Sequence, residues 1–194
     1  YTTLFRSSIS GRTINSDGNM SAPALLSTSL AMVFTNVLAV PDTNNFVMAW
    51  ESPLNSEATQ IGLYYEILNA TSTFSIVHPE SRLEQVITTV PYTTGLYIMP
   101  DRSYFFTWHD TTGGSSNWTA RGLILDTVGI GRVSEFVINS HERAPSIYLF
   151  DPLNDIGFFQ DRFLYVSWIY NCTDANNQIG YSRAAAFFSL NGEK

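Results

Sequence analysis

Phe46-Val47-Met48-Ala49-Trp50 alternates in the manner of a strand, and ten positions after its tryptophan the chain reads Gln60-Ile61-Gly62. The same arrangement returns downstream, where Leu164-Tyr165-Val166-Ser167-Trp168 is followed ten positions later by Gln178-Ile179-Gly180. Alternation with a period of two marks a strand that presents its side chains to two faces in turn. What recurs is therefore a strand together with the turn that follows it. The interval from Trp50 to Trp168, about 118 residues, exceeds the ~20–50 of solenoid repeats and reads as the spacing of whole repeated domains.

Working outward from Trp50, Leu30 to Val40 is apolar and rich in β-branched residues, and Pro41-Asp42-Thr43-Asn44-Asn45 is a turn cluster, so two strands meet there in a tight connection. Further strands are predicted at Gly62 to Leu68, Phe74 to Val77, Glu84 to Val90, Ser103 to Trp108, into which Tyr97-Ile98-Met99-Pro100 leads, and Trp118 to Asp126. Val133 to Ile138 reads as one more strand or as part of an inter-domain connection. Strands at Ser146 to Phe150, Phe163 to Trp168 and Tyr181 to Leu190 belong to the second copy. No window repeats apolar residues at i, i+3, i+4 and i+7, which predicts almost no helix. The expected class is all-β.

The composition of the 194 residues agrees: 44% are hydrophobic and 14% aromatic, and only 14% are charged, as in half-buried strands joined by polar turns. A net charge of -7 with ten scattered Lys and Arg argues against a nucleic-acid surface. Gly18 to Val40 holds no charged residue, yet Ser27, Thr28, Ser29, Thr35 and Asn36 interrupt it, so it falls short of a membrane span. A signal peptide starting at Met20 and cleaved after Ala39 would lack the basic n-region. Cys172 is the single cysteine, which excludes an internal disulfide and leaves either a buried thiol or a partner elsewhere. Tyr1 to Ser7 resembles the translation of a sequencing-library adapter and is set apart from the fold, and residues 8–23 read as a linker.

With these strands placed, the first copy resembles a fibronectin type III domain. Phe34-Thr35-Asn36-Val37, the turn at Pro41, and Val47-x-x-Trp50-x-x-Pro53 look like that family's first strands with their buried tryptophan. Ile98-x-Pro100-x-x-x-Tyr104 is similar to the family's approach to its tyrosine corner. The resemblance implies an immunoglobulin-like β-sandwich at 24–127, a connection at 128–143 and a partial second sandwich at 144–194. Trp50, Tyr104, Trp168 and Pro100 become structural residues of the core and its turns, and an extracellular or cell-surface location is implied. The second copy departs from the pattern at Tyr170-Asn171, where a proline is expected.

Chemistry is sparsely signalled. His78, His109 and His141 are far apart and lack metal-ligand spacing, so no metal site and no cofactor is expected. His109-Asp110 beside Ser115 and Ser116 does not form a catalytic arrangement, because neighbours on a strand point to opposite faces and no Gly-x-Ser-x-Gly elbow is present. The candidate recognition loop is Asp110 to Trp118, with Gly113, Gly114, Ser115 and Ser116 at its centre. Sequons occur at Asn19, Asn69, Asn117 and Asn171; Asn69 and Asn117 fall in expected loops and, with Asn171, are candidate glycan sites. The expected function is a non-catalytic binding or spacer module that presents loops to an unknown protein or glycan partner. Two rivals are a viral capsid or spike jelly roll and an accessory carbohydrate-binding module of a secreted hydrolase.

Overall fold

The computed structural model describes residues 6–14, 16–30, 35–54, 61–71, 73–86, 95–110, 119–138, 156–159, 163–173 and 179–190. Among these residues every regular element is a strand and none is a helix. All ladders are antiparallel. The chain forms two compact units, Tyr1–Pro91 and Tyr92–Lys194.

In the first unit, β3 (Thr35–Ala39), β4 (Asn45–Pro53), β5 (Ile61–Ala70) and β6 (Phe74–Val86) form one sheet in chain order, joined by a separate ribbon of β1 (Arg6–Gly11) and β2 (Ala24–Leu30). The turn cluster does what its residues suggest. Asp42 takes a positive φ of 57°, Thr43 Oγ1 donates to the Val40 carbonyl at 2.9 Å, and it accepts from the Asn45 N–H at 3.0 Å. Asx and hydroxyl side chains stabilise such turns by bonding the local backbone.

Alternation along β4 then divides its side chains between two faces. Phe46, Met48 and Trp50 share one face with Tyr64 and Leu68 of β5, and Ile9 and Leu26 of the ribbon pack against them. Val47, Ala49, Leu63, Tyr65 and Ile67 occupy the opposite face and are also buried. Trp50 is 1% exposed, and its ring stacks on Tyr64 at 6.0 Å and 14°. Its indole N–H has no hydrogen-bond partner, a cost of about 1–3 kcal/mol that the burial of so large a ring outweighs.

The second unit is two layered sheets. β7 (Gly95–Ile98), β8 (Tyr104–Asp110), β9 (Thr119–Leu125) and β10 (Gly131–Val137) make the first; β11 (Ile156–Phe159), β12 (Phe163–Thr173) and β13 (Ile179–Ser189) make the second. Phe105, Ile124 and Ile138 meet Leu164, Val166 and Phe188 in one apolar core. Phe136 links the layers, 6.1 Å from the Phe105 ring and 5.2 Å from Phe188. This is sheet-on-sheet packing of the β-sandwich type. Gly122 is required beneath it, because a Cβ there would sit 2.8 Å from both the Phe105 and Phe136 rings.

Several expectations change. The stretch 8–23, read as linker, contains most of β1, because a ribbon paired through its backbone needs little apolar sequence beyond Ile9 and Leu26. Phe74–Val77 and the start of Glu84–Val90 belong to one long strand, β6, whose Pro79 is tolerated because β6 is the edge of its sheet. β7 and β11 were not anticipated, and the expected strand at 146–150 lies outside the described residues. The division between units falls at Pro91/Tyr92, within the expected 24–127 domain, so Trp50 and Tyr104 lie in different sheets. Every described ladder joins strands consecutive in the chain, and the Greek-key crossing of an immunoglobulin-like sandwich is not among them.

Trp50→Ala is expected to cost about 3–5 kcal/mol in urea unfolding. Trp50→Phe, which keeps a ring beside Tyr64 and removes the unpartnered N–H, is expected to cost under about 2 kcal/mol. Gly122→Ala, forced against two rings, is expected to lose about 1–3 kcal/mol; an unchanged melting curve would contradict the close approach.

Candidate functional site

A concavity lined by described residues lies in the first unit, where the β1–β2 ribbon crosses the sheet. β1 and β3 are edge strands of their respective sheets, since β1 pairs only with β2 and β3 only with β4. Between them opens a cavity of about 510 Å³, walled by Ile9 and Leu26 of the ribbon, Val37 of β3, Met48 of β4 and the Phe46 and Phe74 rings. These rings meet edge to face at 5.7 Å and 78°. Gly11 permits the ribbon to come this near, as a Cβ on it would lie 2.8 Å from Leu26 Cδ1 and 3.1 Å from Phe74 Cζ.

The walls are mainly apolar, with exposed Arg12 the one charged side chain among them. Such a groove suits an extended apolar segment or a small apolar ligand. It holds no pairing of nucleophile and base. Nothing in the sequence pointed here, because the lining comes from segments spread over residues 9 to 74 whose polar, small and aromatic residues share no local pattern.

On the ribbon-facing side of the same sheet, Glu66 lies opposite Met48 and is 4% exposed. Burial, and then the nearby Glu80 carboxylate, push its pKa above the usual value of 4.5. Its Oε2 has no partner, whereas Glu80 Oε2 accepts a hydrogen bond from Ser27 Oγ at 2.9 Å and so ties β2 to β6. Across the sheet, Tyr65 and His78 stack at 5.0 Å, and Tyr65 Oη lies 3.4 Å from His78 Nε2. The Pro79 carbonyl, which only accepts, lies 2.9 Å from His78 Nδ1 and places a proton on that nitrogen. In the neutral ring, Nε2 is then left to accept from the Tyr65 hydroxyl.

Of the structural residues expected from sequence, Trp50 and Tyr104 are both buried at 1% exposure. The Tyr104 hydroxyl donates to the Thr127 carbonyl at 3.4 Å, in the turn after β9, rather than to backbone upstream as a tyrosine corner does. Burial, and then the Asp126 charge, raise its pKa above 10.0. Pro100 is exposed in the turn between β7 and β8, where Arg102 takes a φ of 67° and donates its N–H to the Met99 carbonyl at 2.8 Å. Arg132 pairs with Asp101 in that turn. Trp168 stands on β12 opposite Ala184.

The expected recognition loop is bracketed by described residues: Asp110 closes β8 opposite Thr119 of β9, making 110–119 a hairpin, while Gly113, Gly114, Ser115, Ser116, Asn117 and Trp118 lie outside the described residues. Asn69 is not in a loop. It belongs to β5, paired with Asn45 and Ser75, and its Nδ2 donates to Asn45 Oδ1 at 2.7 Å. Its strand runs two residues beyond the expected Leu68 because the ladder to β4 continues to that turn. Asn171 and Cys172 also stand within a ladder, on β12 opposite Tyr181 and Gly180.

Among the described residues no group of three His, Cys, Asp or Glu side chains could hold a metal ion. No helix among them is long and apolar enough to cross a membrane. No protein-family model, curated protein or solved structure matches the chain.

The raised pKa of Glu66 has a signed consequence. A carboxyl whose folded pKa lies above its unfolded value binds a proton more tightly when folded, so the fold loses stability as pH rises through 4.5 and that loss persists at neutral pH. Glu66→Gln is therefore expected to be more stable than the parent at pH 7 and to lose this advantage below about pH 4. Thermal melts across that range provide the check, and a pH-independent difference would refute the assignment.

Proposed function

We propose that the chain is a non-catalytic binding module of an extracellular or cell-surface protein, in which rigid antiparallel sheets hold hairpin loops toward a protein or glycan partner. The observation that supports this reading is the β8–β9 hairpin. Phe105, Phe106, Trp108, Ala120 and Ile124 anchor its two strands at no more than 3% exposure, and Asp110↔Thr119 closes it. The connection of eight residues, 111–118, is rich in glycine and serine and ends in Trp118. A loop held between buried strands loses less entropy on binding than one on a mobile support, and aromatic residues at such positions are favoured anchors. The extracellular or cell-surface setting is carried over from the resemblance of Val47-x-x-Trp50-x-x-Pro53 to fibronectin type III sequences; Ile98-x-Pro100-x-x-x-Tyr104, in the other unit, adds nothing to it.

The test compares the full chain with a variant in which residues 111–118 are replaced by Asn-Gly, a two-residue turn that fits an antiparallel hairpin. Both proteins are applied to glycan arrays and to panels of immobilised extracellular proteins. The parent is expected to bind at least one member saturably, and the variant to bind it about tenfold or more weakly, about 1.4 kcal/mol, with an unchanged far-UV circular dichroism spectrum. Equal binding by the two proteins would dismiss loop display.

A further inference from the structure

We infer that the repeating unit of this chain is a single four-stranded antiparallel sheet of about 59 residues, half the interval from Trp50 to Trp168. The strand positions carry this. First strands begin at residues 35, 95 and 156; second strands at 45, 104 and 163; third strands at 61, 119 and 179; fourth strands at 74 and 131. Each position recurs after 57 to 61 residues. In each sheet the second strand is flanked by the first and third in the same antiparallel order.

The side-chain pattern follows the same period. Phe46-Val47-Met48-Ala49-Trp50, Tyr104-Phe105-Phe106-Thr107-Trp108 and Leu164-Tyr165-Val166-Ser167-Trp168 lie in the second strands, with tryptophan at the sixth, fifth and sixth strand position. Trp108 is therefore the missing middle member of the series. It escapes notice in the sequence because the residues ten positions after it are Trp118-Thr119-Ala120 instead of Gln-Ile-Gly. The third strand is nonetheless in place, since Trp50, Trp108 and Trp168 stand opposite Tyr64, Arg121 and Ala184.

Two-sheet sandwiches in tandem would give one tryptophan landmark per sandwich and a Greek-key exchange of strands between sheets. Four-stranded sheets in which every strand pairs with its sequence neighbour are instead the blade type of repeat. The hairpin after the second strand recurs with the sheet: Pro53↔Ile61, Asp110↔Thr119 and Thr173↔Ile179 close the same connection in each repeat. The recognition loop proposed above is one of three equivalent connections.

The test removes one period from the full chain. Deleting residues 46–103 joins Asn45 to Tyr104, so that β3 leads into β8 through its own turn; a control deletes 46–74, half a period. The in-phase variant is expected to keep a strand-type circular dichroism spectrum and a single cooperative melt, and the half-period variant to keep only the strand signal of Tyr92–Lys194, with the remnant of its first unit open to proteolysis. A half-period variant whose first unit stays protease-resistant overturns the inference. If the in-phase variant unfolds as well, Trp50→Phe, Trp108→Phe and Trp168→Phe in the otherwise intact chain decide: drops in melting temperature that agree within about a factor of two support one repeat. A silent Trp108→Phe beside costly changes at 50 and 168 restores the 118-residue interval and overturns it.

Discussion

The ladder between β4 and β5 is the constraint on which the first unit depends. It runs through nine residue pairs, from Asn45↔Asn69 to Pro53↔Ile61, and both faces of its central residues are buried. Buried backbone N–H and C=O groups cost free energy unless each finds a partner. Strands covered on both faces therefore need a neighbour at both edges. β3 and β6 supply them, and the exposure of the strand positions falls accordingly from the edges toward β4 and β5. β8 and β9 stand in the same relation to β7 and β10. In each sheet the buried tryptophan or tyrosine is a consequence of this pairing as much as a cause of it.

This arrangement explains which features can be read from the residues. Alternation at Phe46–Trp50 and the Pro41–Asn45 turn reveal strands and their connection, because both signals are local. Coverage of both faces is not local. A strand buried on one side and a strand buried on two differ only in whether the intervening residues are polar, and Val47 and Ala49 are small apolar residues that fit either case. The ribbon was harder still, as Arg6-Ser7-Ser8-Ile9-Ser10-Gly11 offers one inward apolar residue and is held by backbone pairing with β2. The division at Pro91/Tyr92 was hidden by the landmarks themselves, since Trp50 and Tyr104 follow one another in the order expected of one sandwich while belonging to different sheets.

The polar groups inside the first unit are unevenly satisfied, and the pattern has a physical basis. Ser27 is buried where the ribbon crosses β6, and the exposed Glu80 carboxylate satisfies its hydroxyl. Glu66 has no such partner at Oε2, and a neighbouring carboxylate makes its ionisation harder. The groove between β1 and β3 avoids the difficulty by being walled mostly with apolar side chains and two rings. Its location at two strand edges was beyond sequence reasoning, whereas the hairpin at 110–119 was legible from the glycine and serine run between two apolar strands.

Pairing between consecutive strands also bears on how the chain acquires its structure. Each described ladder closes a short loop of sequence, so the entropy lost before a contact forms is small, and proteins dominated by such local contacts fold faster than those built on distant pairings. During synthesis, β3 to β6 have all their ladder partners once residue 86 has emerged, and β7 to β10 once residue 137 has. Each sheet can therefore be hydrogen-bonded before the next is made. The edges of the inner strands, whose exposure is the usual route to aggregation in β proteins, are unpaired only for the time needed to translate one sheet, and the outer strands alone keep a free edge.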